Sequence, residues 1–222
     1  MFMYSTLTGT NLRRSEGELP LLSYSKTRQS LPPCHIDEFW VQEWGAEALA
    51  STTIPNAGGN SIISEAYSIQ YFKDLGATDF IFETQVLYNF FSCKMVDYVM
   101  TFQKVRVGVS VARAMNFKVK ERFTSEKATQ LLQKKLYGLV VARNCVSRKH
   151  RFFTSILHIQ CETWEMASIL EQSYILLREE KSWWDSLRGA LTVIFTVISK
   201  GSPFCDAVFN RKKKCTSNQI KS

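Results

Sequence analysis

The sequence predicts an α/β (α+β) domain with a mixed central sheet flanked by helices. Three observations predict it. From Phe80 to Met115 β-branched and aromatic residues dominate, and polar residues recur about every second position, the signature of consecutive half-buried strands. The segments 64–75 and 124–142 on either side carry apolar residues at helical spacing. Two later apolar runs, 155–161 and 190–199, have strand length and are separated by a helical pattern, an order that adds strands to a sheet through crossovers.

Residues 1–60 read as an N-terminal extension. Its first part ends in Leu-Pro-Pro, HIDEFWVQEWGAEALA (35–50) has the spacing of a short helix, and Pro55 and Gly58-Gly59 mark a loop. The main domain is 61–210. SEAYSIQYFKDL (64–75) is its first helix, with Ser64 as N-cap, Glu65 in the first turn and Gly76 as the stop. Three strands follow as FIFETQVLYNFF (80–91), KMVDYVMTF and VRVGVSVARAM. The helix 124–142 turns Ala128, Leu131, Leu132, Leu136 and Leu139 inward. RNCVSRKHR (143–151) reads as a basic loop, SILHIQC as a strand, 163–183 as an amphipathic helix, ALTVIFTVIS as a buried strand and 202–210 as a short helix. A basic tail, 211–222, closes the chain.

Composition supports a folded domain: 45% of the residues are hydrophobic, ample for a core. The six cysteines form no CxxC pair and, with three histidines, show no zinc-ligand spacing, so reduced thiols in an intracellular compartment, cytoplasmic or nuclear, are expected. No run has the length of a transmembrane segment and the start lacks a signal-peptide pattern, which leads to the expectation of a soluble protein. Charge is uneven. Residues 1–103 carry a net −5, residues 104–151 a net +11 and residues 152–222 a net +2. A cationic segment of that density attracts polyanions, nucleic acid first among them, and Lys118, Lys120, Arg122, Arg148, Lys149 and Arg151 are its candidate contacts. A solvated basic face without a partner is the alternative.

Acidic residues interrupt the apolar strands. Glu83 sits among Ile81, Phe82 and Val86, and Asp97 among Val96, Tyr98 and Val99, where an unpaired carboxylate is costly to bury. Such placement asks for a metal, a cation or another functional reason, and Glu83 and Asp97 supply metal ligands if the first two strands pair so that these side chains share a face. His158, between Leu157 and Ile159, has the setting of a core histidine.

The order helix, strand, strand, strand, helix, strand over about residues 64–161 resembles the PD-(D/E)XK nuclease-like superfamily, which implies a restriction-endonuclease-like fold. In that superfamily an acid on the first helix, an aspartate on the second strand, and an acid two residues before a lysine on the third strand hold a divalent metal and a water. By this resemblance Glu65 and Asp97 take the first two positions. The third strand departs from the pattern: Gly108, Ser110, Ala112 and Ala114 offer neither acid nor lysine, and Arg113 is the one charged residue of VGVSVARAM. The resemblance therefore implies Glu65 and Asp97 as catalytic groups with Mg²⁺ as the metal, and Arg113 is the candidate cation in place of the missing lysine. Two functions remain open on the residues: a nuclease-like protein that binds nucleic acid and either hydrolyses phosphodiesters or has lost that step, and a noncatalytic interaction protein for an acidic protein partner.

Overall fold

The structure is a computed structural model, and it describes residues 34–38, 43–54, 61–90, 92–115, 122–179, 191–198 and 205–209. Among the described residues six strands form one sheet: β1 (Cys34–Glu38), β2 (Thr78–Phe82), β3 (Tyr98–Phe102), β4 (Val105–Ala114), β5 (Thr154–Cys161) and β6 (Leu191–Val197), in the spatial order β1-β6-β5-β4-β3-β2. The β2-β3-β4 meander is antiparallel, and β5, β6 and β1 are added in parallel. Every residue of β6 is buried, as a continuous apolar strand covered on both faces should be.

Helices cover both faces. Helices α1 (Ala46–Thr53), α2 (Ile62–Asp74) and α5 (Cys205–Val208) lie on one side, where Ile69 and Phe72 of α2 pack with Met100, Val107, Val109, Val111, Ile156 and Ile194. On the other side α3 (Ser125–Cys145) and α4 (Trp164–Glu179) bury Leu132, Leu136, Leu139, Leu170 and Tyr174 against Val99, Ala112, Leu157, Ile159, Val193 and Phe195. Strand alternation assigns the faces: in β4 the odd positions meet α2 and the even ones α3. Gly108 belongs to the α3 face, where a Cβ would stand 2.5 Å from the ring of Phe152. The bare backbone lets that phenylalanine lie flat on the sheet.

Several expectations need correction. The strand expected over 80–91 ends at Phe82; Glu83–Gln85 is a 3-10 turn, the described residues 86–90 and 92–97 belong to a loop, and residue 91 lies outside the described residues. Val86 and Tyr88 of that loop have strand-like character but pack against the far end of α3 instead of a neighbouring strand. The helix expected over 35–50 divides into strand β1 and helix α1, so part of the segment read as an extension joins the sheet through β6. The first core helix begins at Ile62 with Ser61 as N-cap, and Ser64 lies buried within it; Gly76, at φ 90°, provides the expected stop. The cysteines are not all reduced: Cys93 and Cys145 form a disulfide with Cα atoms 6.2 Å apart, while Cys161 and Cys205 lie buried outside it. No described helix is long and apolar enough to cross a membrane.

Candidate active site

β4 continues beyond the start of β3. Tyr98 pairs with Val109, and past that point the amide of Val111 has no strand partner on the β3 side. Asp97 fills the gap. Its own N–H donates to the Val109 carbonyl at 2.9 Å, and its Oδ2 accepts from the Val111 N–H at 2.6 Å and from the Ser110 hydroxyl at 3.0 Å. Two donors on one oxygen explain how a half-buried carboxylate is tolerated in an apolar setting. Oδ1 makes no hydrogen bond among the described residues.

Lys135 reaches the same point from α3. Its Nζ donates to the Val111 carbonyl at 2.7 Å and lies 3.4 Å from the Ser110 Oγ, so carboxylate and ammonium share one serine hydroxyl. Sequence reasoning did not single out this residue. Its signal was present, since Lys135 follows Ala128 by seven and Leu132 by three and precedes Leu139 by four, on the buried stripe of α3. A lysine in an apolar stripe must carry its charge somewhere, and the end of the β3–β4 ladder receives it.

Glu83 stands beside this group. Phe82 pairs with Tyr98, so Glu83 and Asp97 are the next residues on their two chains, at the same end of the β2–β3 ladder. The Tyr88 hydroxyl accepts from the Val96 N–H at 2.9 Å, and its pKa is pushed up to about 12, by burial first and further by the charges of Glu83 and Asp97. The loop carrying Tyr88 is held to the end of α3 by the disulfide, by Asn89 N–H to Cys145 O at 2.9 Å and by Ser147 N–H to Leu87 O at 2.8 Å.

Glu65 and Arg113 belong to the opposite face. Glu65 is 8% exposed in the first turn of α2, and its charge reaches both the Tyr98 phenol and the Arg113 guanidinium. Burial lowers the pKa of Arg113, the Glu65 charge opposes that shift, and the Arg113 Nη1 donates to the Val208 carbonyl at 2.9 Å. The sheet thus separates Glu65 and Arg113 from Asp97, and among the described residues no three His, Cys, Asp or Glu side chains form a metal-binding group. On the α2 face His158 is fully buried: Nδ1 is 2.7 Å from Ser68 Oγ, which is 2.7 Å from the Tyr98 hydroxyl, and Nε2 is 2.6 Å from Thr196 Oγ1. Both ring nitrogens are satisfied, which is the core role expected for it.

Topology divides the basic segment. Arg122 is exposed beyond the carboxyl end of β4, just before α3, where it lines a small cavity of about 300 Å³ with Phe123, Glu165, Met166 and Ile169. Arg148, Lys149 and Arg151 are exposed in the turn that leads into β5, near the opposite end of β4. Lys118 and Lys120 lie outside the described residues.

No family model and no solved structure matches this chain. The chain is 34% identical over 127 residues to the AAC-rich mRNA clone AAC4 protein of Dictyostelium discoideum, an alignment covering 54% of this chain and 18% of that protein. It therefore spans less than a fifth of the relative's length.

Proposed function

We propose that this chain is a nuclease-like protein of PD-(D/E)XK type that binds nucleic acid and hydrolyses phosphodiester bonds at the Asp97–Ser110–Lys135 cluster. The observation that carries the reading is the position of Lys135. The third strand of the core has no lysine of its own, and α3 delivers an ammonium to that strand beside the aspartate that immediately precedes the second. The order α2-β2-β3-β4-α3-β5, an antiparallel meander with a parallel fourth strand, supports the same family resemblance.

Asp97, through Oδ1, and Glu83 are the residues that would hold Mg²⁺, an ion that commonly takes one or two protein carboxylates and completes its shell with water and phosphate oxygens. When bound, it supplies charge neutralisation and a more acidic water. Lys135 adds a fixed positive charge for the pentacovalent phosphorane, and Ser110 holds Asp97 in place for its ligand role. Glu65 and Arg113, across the sheet, take no part in this scheme.

With Mg²⁺ or Mn²⁺ the purified protein should cleave at least one of single-stranded, duplex and branched substrates. Asp97→Asn should reduce that rate by about a hundredfold or more while leaving nucleic-acid affinity in place. A wild type that binds these substrates and cleaves none would favour the noncatalytic interaction protein, in which Asp97 serves only to close the Val111 amide.

A further inference from the structure

The turn before β5 has a composition that the cluster at Asp97 does not use. Val107 pairs with Thr154, so Arg106 on β4 and Phe153 just before β5 are the residues that precede this pair. The Arg106 Nη1 donates to the Lys149 carbonyl at 2.7 Å, which ties the start of β4 to the turn that carries Arg148, Lys149 and Arg151. All four cations are exposed. The next residues contrast sharply: Phe152 is fully buried over Gly108, whereas Phe153 is 70% exposed. Neither Asp nor Glu occurs between residues 127 and 161, so no carboxylate of this stretch neutralises the turn. His150 anchors it from within. Its Nδ1 accepts from the Leu87 N–H at 2.9 Å, and burial together with the Lys149 and Arg106 charges lowers its pKa, keeping the imidazole neutral.

We propose that Phe153, with Arg106, Arg148, Lys149 and Arg151, forms a grip for single-stranded nucleic acid. A lone exposed phenylalanine needs no explanation, and neither does a basic turn. Together they supply what an unpaired strand offers partners for: cations for the phosphates and an open aromatic face for one unstacked base. A duplex keeps its bases stacked and presents none to the ring. Ser110 lies four residues further along β4 than Arg106, roughly 13 Å at the usual rise per residue, so a strand held here extends toward Asp97. The proposal rests on the nucleic-acid part of the function above and does not require cleavage.

Fluorescence anisotropy in EDTA, which removes the metal and with it cleavage, tests it with labelled oligothymidylate, oligouridylate and a duplex of equal length. Phe153→Ala should weaken single-strand binding about tenfold and leave duplex binding unchanged, and Phe153→Trp should keep wild-type affinity. Replacing the four cations by Ser should flatten the single-strand salt slope by about 3. Unchanged single-strand affinity in Phe153→Ala, an equal loss on both substrates, or tighter binding to anionic phospholipid vesicles than to any oligonucleotide would overturn the grip. If the wild type binds and cleaves duplex while Phe153→Ala is indifferent, the grip falls and the nuclease reading stands; if the wild type binds no nucleic acid, both fall.

Discussion

Acidification from pH 7 to pH 4 should remove about 3 kcal/mol of stability through His158 alone. This imidazole is fully buried, and burial lowers its pKa to about 3. The unfolded chain takes up a proton there near pH 6.5, whereas the folded protein does not until about pH 3. Between those values the unfolded state binds more protons, so stability falls as the pH falls, by about 1.4 kcal/mol per unit. The hydrogen bonds to Ser68 and Thr196 are complete with a neutral ring. His158→Gln should therefore be less stable at pH 7 and show a pH slope shallower by that amount between pH 6 and pH 4, measured by urea denaturation. Parallel slopes for the two proteins would rule out His158 as the titrating group.

Loss of the Cys93–Cys145 disulfide should cost about 4 kcal/mol in the chain-entropy account, because the bond closes a long segment of the unfolded chain. The two cysteines are 52 residues apart in sequence. The link joins the loop between β2 and β3 to the end of α3, and so fixes the path from Glu83 to Asp97 from outside. Backbone bonds from Asn89 and Ser147 hold the same loop independently, so the Cys93→Ser/Cys145→Ser protein should fold with its loop still docked. Equal urea midpoints for the oxidised protein and the double variant would show that the bond contributes nothing.

Which parts of this molecule can be read from sequence follows from the range of the interactions involved. The β3–β4 pair, α2, α3 and the two buried parallel strands each carry their pattern within a few residues. The hairpin between β3 and β4 was legible despite its turn, where Gln103 and Lys104 adopt φ 47° and 66° without glycine or asparagine. The end of β2 was not legible, since Val86 and Tyr88 have strand composition and only their contacts with the 145–150 region make them a loop. The apolar spacing of 35–50 fits a helix, and it is the pairing of β1 with β6 that makes its first part a strand.

The site divides in the same way. Asp97 was visible as an acid in an apolar context, and the hydrogen bonds that stabilise it lie on the neighbouring strand. Adjacent lysines at 134 and 135 look alike in a basic segment, although only Lys135 falls on the buried stripe. The family pattern groups Glu65 with Asp97 because both are acids. Strand alternation puts Arg113, which Glu65 accompanies, on the other side of the sheet. The disulfide left no local pattern, as its cysteines are distant in sequence.

The claim that Lys135 supplies the cation absent from the third strand has one direct measurement: single-turnover cleavage under saturating metal by wild type, Lys135→Met and Lys135→Arg, with substrate affinity determined in parallel. Lys135→Met keeps the apolar stem and removes the charge, so its rate should fall by about a hundredfold at unchanged affinity, and Lys135→Arg should recover part of the loss. A Lys135→Met protein that is folded and cleaves at the wild-type rate would contradict the account.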